Sequence, residues 1–197
     1  MRRLAGWLLK RIIPEKSRRF LLAMIQDQGI CAEVGVWKGD FAQEILDRAR
    51  PSKLLLIDPW KFEASDDYDH AWYGGAEAKS QQDMDAIHDA VAARFASHIK
   101  RGVVELLRQP STEAAAAIAP ASLDWVYIDG NHQYEFVIED LRTFYERLRP
   151  GGVLAGDDYG TKGWWDHGVT RAVDEFAKLH AADSLIIKGS QFALVKS

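Results

Sequence analysis

Short, continuously apolar runs alternate with stretches whose apolar residues recur every three or four positions, almost to the end of the chain. "GICAEVGV" (29–36) predicts a strand and "DFAQEILDRAR" (40–50) a helix. "KLLLID" (53–58) predicts a second strand, apolar throughout as a parallel strand covered on both faces should be. Helical periodicity returns over 83–100, and "VVELL" (103–107) is a third strand. "STEAAAAI" (111–118) begins with a capping-type serine and predicts a short helix. "LDWVYID" (123–129) is a strand, followed by the helix of "YEFVIEDLRTFYERL" (134–148) with Phe136, Val137, Leu141, Phe144 and Leu148 on one face. "PGGVLAGDD" (150–158) turns through Pro150, Gly151 and Gly152 into another strand, and "GVTRAVDEFAKLH" (168–180) is a helix. "SLIIKGSQFALVK" (184–196) reads as two strands around Gly189 and Ser190, a hairpin.

Strand–helix alternation of this kind predicts one doubly wound, Rossmann-like α/β domain, mostly parallel, with an antiparallel C-terminal hairpin closing one edge. Residues 1–28 form a basic, helical N-terminal segment, and 29–197 the domain proper. Residues 59–82, polar and aromatic with Pro59, Gly74 and Gly75 as breakers, are too long for a plain connection and read as a lid. In the N-terminal segment Leu4, Trp7, Leu8 and Ile12 recur at helical spacing between basic residues. Lys10 and Arg11 cut the apolar run too short for a signal peptide, and no stretch is long enough to span a bilayer. A helix packing on the domain or on a second copy of the chain is preferred over a membrane-surface helix.

Composition narrows the function. A 197-residue chain that is 47% hydrophobic and 27% charged is ordinary for a soluble globular protein. A net charge of −4 argues against nucleic acid as a partner, because phosphate neutralisation needs a basic face. The single Cys31 excludes a disulfide framework and a cysteine-based zinc site, and fits a cytoplasmic location.

Open α/β sheets bind ligands beyond the carboxyl ends of their strands. Five polar clusters fall at such ends: Glu33 with Gly35, Asp58, Gln109 with Ser111, Asp129 with Asn131 and His132, and Asp157 with Asp158. In "EVGVWKG", Gly35 and Gly39 allow backbone to approach a ligand, but Trp37 stands where a dinucleotide fingerprint needs its second glycine. Nicotinamide binding is therefore disfavoured. Asp58, at the end of the second strand, is placed to accept both hydroxyls of a ribose.

"EVGVWKGDFA", "LLLIDPW", "LDWVYIDGNHQYEFVIEDL", "RPGGVLAGDDY" and "GVTRAVDEFA", in this order, resemble the class I S-adenosylmethionine-dependent methyltransferases. Within that superfamily the chain looks similar to the small O-methyltransferase-like group that includes macrocin-type sugar methyltransferases. The resemblance implies a seven-stranded sheet whose last strand is antiparallel. It places Glu33 and Gly35 on the methionine end of S-adenosyl-L-methionine, Asp58 on the ribose, and Gln109 or Ser111 near the adenine, with Gly39 also in the cofactor-binding turn. Trp37 departs from the fuller glycine-rich turn of the family.

The resemblance also sets the strand ends carrying Asp129, Asp157 and Asp158 side by side. Three oxygen donors there suit a hard divalent cation such as Mg²⁺, which would orient an acceptor hydroxyl and lower its pKa. His132, with an ordinary pKa near neutrality, is the expected general base, since Asn131 stands where some sugar-methylating relatives carry an aspartate. Trp60, Tyr68, His70, Trp72 and Tyr73 in the lid, with Trp164, Trp165 and His167, mark the acceptor region. The expected activity is O-methylation of a small hydroxylated metabolite or sugar. The alternatives are a nucleoside-binding module without catalysis, for which the acidic rim is turn chemistry alone, and a protein whose basic N-terminal helix carries its function at a membrane or partner.

Overall fold

The computed structural model describes residues 18–64, 73, 78–180 and 184–197. Most of the basic N-terminal segment, and Tyr68, His70 and Trp72 of the lid, lie outside the described residues.

Seven strands form one sheet: β1 (Ile30–Val34), β2 (Lys53–Ile57), β3 (Val104–Leu107), β4 (Leu123–Ile128), β5 (Leu148–Gly156), β6 (Ser184–Lys188) and β7 (Gln191–Val195). Their order is β3-β2-β1-β4-β5-β7-β6, parallel except that β7 runs antiparallel to both β5 and β6. The expected hairpin is present, with β7 slotted against β5 and β6 left at the edge. From β1 the chain winds outward to β2 and β3, then returns to place β4 on the other side, so the switch point lies between β1 and β4.

Helices α1 (Asp40–Ala49), α2 (Gln81–Lys100), α3 (Ser111–Ala117), α4 (Tyr134–Arg147) and α5 (Gly168–Leu179) join the strands. In α1 the buried residues Phe41, Ala42, Ile45 and Leu46 make one stripe, as do Val169, Ala172, Val173 and Phe176 in α5. Helix α2 starts on a reciprocal cap: Ser80 Oγ accepts from Asp83 N–H, and the Asp83 carboxylate accepts from Lys79 N–H and Ser80 O–H.

The sheet separates two apolar clusters. One packs Val137, Leu141, Phe144, Val169 and Phe176 against Val126, Ile128 and Leu154. The other packs Phe41, Ile45, Phe95 and Leu21 against Cys31, Trp125 and Tyr127. Leu21 belongs to residues 18–22, the helical end of the N-terminal segment, which docks on this second face.

Three sequence expectations need correction. Phe136 is half-exposed rather than on the buried face of α4. β5 begins at Leu148, before the Pro150–Gly152 turn, and absorbs that turn as a bulge, since its partner on β4 jumps from Leu123 to Trp125. Ser111 is the first residue inside α3 and caps nothing; its hydroxyl donates to Asp140 Oδ1 of α4 at 2.5 Å.

Asp140 is buried, and burial pushes its carboxyl from the ordinary 3.8 up to about 7, against the hydrogen bond from Ser111. At low pH the group is neutral in the folded and unfolded chain alike. Between the unfolded and folded pKa only the unfolded chain ionises, so stability is lost as pH rises through that interval. Asp140→Asn keeps an acceptor for Ser111 and removes the titration. It should flatten the stability profile between about pH 4 and 7 and stabilise the protein at about pH 8 by on the order of 2–4 kcal/mol, read by urea unfolding. A variant as pH-dependent as the parent would refute the assignment.

Candidate active site

The carboxyl ends of the central strands are tied together by backbone bonds. Gly35 N–H donates to Ile57 O, Asp129 N–H to Val34 O, and Asp157 N–H to Ile128 O. The residues that follow β1, β4 and β5 therefore emerge side by side. Gly35 adopts φ 86°, and a β-carbon on it would lie 2.2 Å from the Asp129 carbonyl oxygen. Gly39 adopts φ 75°, and a β-carbon there would meet the Phe95 ring at 2.7 Å. Both glycines are required by contact between elements as well as by turn geometry. Trp37, between them, takes a positive φ of 49°, a conformation that is strained for a bulky side chain.

Asp58 holds that turn. Its Oδ2 accepts from Val36 N–H at 3.0 Å and Trp37 N–H at 2.9 Å, and its Oδ1 accepts from Trp60 N–H and the Tyr73 hydroxyl, each at 2.7 Å. The carboxylate is buried, and burial raises its pKa against these four hydrogen bonds. A ribose hydroxyl reaching Asp58 would have to take the place of Tyr73 or share its acceptor. The Trp60 indole N–H, from a residue with no exposed surface, donates to Trp37 O and fastens the start of the lid region to the same turn.

Glu33 lies at the base of this edge, fully enclosed. Burial raises its pKa well above the ordinary range, Arg18 opposing, and its Oε2 has no hydrogen-bond partner among the described residues. Arg18 enters from the N-terminal segment. Its Nη2 lies 2.9 Å from Asp129 Oδ2 and 2.5 Å from Asp157 Oδ2, and its Nε donates to Asp157 Oδ2 at 3.2 Å. The guanidinium sits 5.0 Å from the Phe41 ring centroid and 5.6 Å from that of Tyr127, both within cation–π range.

Asp157 faces inward. Its Oδ1 accepts from Ser190 O–H, the Gln191 side-chain amide Nε2–H and Asp158 N–H, and its Oδ2 from Arg18 and, at 3.4 Å, the Tyr127 hydroxyl. Burial opposes ionisation of Asp157, but Arg18 and these donors together hold its carboxyl below the usual range. Asp158, one residue on, turns outward through a positive φ of 61° and stands opposite His132. His132 Nε2 lies 3.0 Å from Asp158 Oδ2 and 3.5 Å from Asp129 Oδ1, yet it is buried and makes no hydrogen bond to either.

The ligand atoms of Asp129, His132 and Asp158 all fall within 4.8 Å of one another. Adjacent ligands of an octahedral ion at about 2.1 Å are about 3 Å apart, so an imidazole nitrogen set between two carboxylate oxygens has the spacing of a small divalent cation's ligands once it gives up its proton. Of the three acids expected from sequence at a metal, Asp129 and Asp158 converge beside His132, whereas Asp157 is engaged by Arg18, Ser190 and Gln191. Burial disfavours the charge of His132, but Asp129 and Asp158 outweigh that and push its pKa up to about 10, so a cation bound between these acids would have to displace the imidazole proton.

The family model described as Methyltransferase domain matches residues 32–159, well over half of the chain. The chain belongs to this family. Its resemblance to class I S-adenosylmethionine-dependent methyltransferases thereby stands on the matched residues, which run from β1 past the rim at Asp158. Among solved structures, the O-methyltransferase NovP is similar at 21% identity with a TM-score of 0.61, over 86% of this chain and 72% of that one. The O-methyltransferase TomG from Streptomyces achromogenes, solved with SAM, is 19% identical with a TM-score of 0.56, over 93% of this chain and 80% of its own. At such identities the likeness speaks for the fold alone. Among curated proteins, an uncharacterized protein of Acanthamoeba polyphaga mimivirus is 40% identical over 45 residues, which take in 23% of this chain and 20% of the viral protein.

In this methyltransferase the two residues expected at the adenine part company. Gln109 stands two positions past β3, half-buried, its side-chain amide without a hydrogen bond among the described residues. Ser111 points at α4 through its bond to Asp140. Trp165 lies 4.8 Å from the His132 ring and packs edge-on to Trp164 at 5.8 Å, so this part of the expected acceptor region does border the rim. Arg18 was missed in the sequence, because nothing local distinguishes it from its basic neighbours. Tyr127, Ser190 and Gln191, which hold Asp157, were missed as well.

Gly35→Ala should cost on the order of 3 kcal/mol or more, since both the left-handed φ and the approach to Asp129 are lost. The measurement is urea unfolding of the purified variant. Wild-type stability would show that the two strand ends do not need this contact.

Proposed function

We propose that the protein transfers the methyl group of S-adenosyl-L-methionine to a hydroxyl of a small metabolite or sugar, with a divalent cation such as Mg²⁺ at the rim. The observation that carries this reading is the convergence of Asp129, His132 and Asp158 beside the Trp164–Trp165 pair, at the edge where the glycine turn would present the cofactor. Two of the similar structures are themselves O-methyltransferases by name, which supports the oxygen acceptor. The acceptor oxygen attacks the methyl carbon, the carbon–sulfur bond breaks, and its electron pair stays on sulfur to leave S-adenosylhomocysteine. The acceptor's proton leaves to water through the rim, where Asp129 and Asp158 keep 21% and 27% of their side chains exposed.

A divalent cation held by Asp129, His132 and Asp158 would supply Lewis acidity that lowers the pKa of the acceptor hydroxyl. The chain's own contribution is positional. Arg18 steadies Asp129 through Oδ2 while Oδ1 faces His132, and Trp165 packs against the imidazole. Orientation of the reacting groups accounts for much of the rate in a displacement of this kind. Glu33, Gly35 and Gly39 line the methionine end, and Asp58 serves the ribose once Tyr73 yields its acceptor. The same reading places the protein in a reducing cytoplasm, where Cys31, its thiol pushed up to about 12 by burial, is inert.

Chelation should reduce turnover at least tenfold, with recovery on adding Mg²⁺. Without any acceptor in hand, calorimetric titration of Mn²⁺ should show binding that Asp158→Asn and His132→Ala each weaken about tenfold or more. Asp157→Asn should instead lower the melting temperature and spare metal affinity. Full activity after exhaustive chelation, or metal binding indifferent to Asp158 and His132, would rule out the metal.

A further inference from the structure

Three carboxylates crowd the end of the cleft assigned to the cofactor's methionine: Glu33, Asp129 and Asp157. They suit the ammonium of an aminoacyl group, and the partnerless Oε2 of Glu33 marks a buried acceptor still open to a donor. The other half of that group is a carboxylate, which the same three acids repel. Arg18 is the cation placed among them. Its guanidinium is fixed on one side by Asp129 and Asp157 and on its faces by Phe41 and Tyr127. Nε and Nη2 account for its hydrogen bonds, so among the described residues Nη1 makes none, and 23% of the side chain remains exposed. The other donor source at this end, the N-terminus of α1, carries Asp40, whose charge opposes a second anion there.

We propose that Arg18 is the residue that binds the α-carboxylate of the cofactor's aminoacyl end, using the edge of its guanidinium that the described residues leave unbonded. This rests on the S-adenosylmethionine reading of the site. An immobilised guanidinium suits a carboxylate here because Nη1 still carries two charged N–H donors and little side-chain freedom is left to lose. The inference also gives the N-terminal segment a function. It delivers a specificity residue to a site built otherwise from strand ends, at a sequence distance of 111 residues from Asp129.

The test compares S-adenosylmethionine with its decarboxylated form, which keeps the sulfonium and the ammonium and lacks only the carboxylate. Calorimetric titration of the wild type should show at least a tenfold preference for the complete cofactor. Arg18→Gln should weaken the complete cofactor at least tenfold and leave the decarboxylated form within about twofold, while Arg18→Lys keeps part of the preference. Equal affinity of the wild type for both ligands overturns the proposal and leaves the cofactor site standing. So does an Arg18→Gln variant that shifts both ligands alike or binds the complete cofactor more tightly, the latter meaning that the guanidinium competes with the ligand's own cation. Failure of folded wild type to bind either ligand overturns the cofactor reading and the proposal together. Should Arg18→Gln not fold, the wild-type preference and the lysine variant decide.

Discussion

The site exists because the turn after β1 touches the end of β4 backbone to backbone. A β-carbon on Gly35 would stand 2.2 Å from the Asp129 carbonyl oxygen, so only glycine permits that approach. It closes the switch point of the sheet and puts the residue after β4 beside the glycine turn after β1. Everything else at the rim is arranged around this contact. Asp58 clamps the turn through Val36 and Trp37, Trp60 ties in the start of the lid region, and Gly168 lets α5 pack against the backbone of His132 and Tyr134.

Bringing strand ends together concentrates negative charge. Glu33, Asp129, Asp157 and Asp158 meet within one edge, and burial alone would force several of them to stay protonated. Two cationic side chains divide the task. Arg18 serves Asp129 and Asp157, and the imidazolium of His132 stands against Asp129 and Asp158. Asp129 belongs to both groups, one oxygen to each, which couples the Arg18 cluster to the His132 rim. Asp157 is the member that the fold itself consumes. With Ser190 and Gln191 as donors from the β6–β7 hairpin, it fastens the antiparallel edge to the site.

The same geometry assigns a division of labour between neighbouring residues that look alike in the sequence. Asp157 and Asp158 are adjacent acids, yet one points into a hydrogen-bonded network and the other, through a left-handed backbone, points at His132. A strained residue at such a place is held by its surroundings for the direction it gives its side chain.

By itself the sequence determined the class of fold, the order and approximate bounds of the strands and helices, the closing hairpin and the edge at which the polar residues gather. These depend on local periodicity and on glycines whose backbone roles are readable nearby, and the parallel alternation then sends every strand's carboxyl end to one side. Only the tertiary structure decided which polar atoms at that edge face one another. Ser111 went to Asp140, His132 joined the rim acids while Asp157 left them, and Arg18 arrived from a segment that carried no local signal. The reason is one of distance. Arg18 and Asp157 are 139 positions apart, and Ser111 and Asp140 are 29 apart, so no local pattern encodes their pairing. It follows from packing and from the cost of leaving buried charge unmet, which is settled only when the whole chain has closed around the sheet.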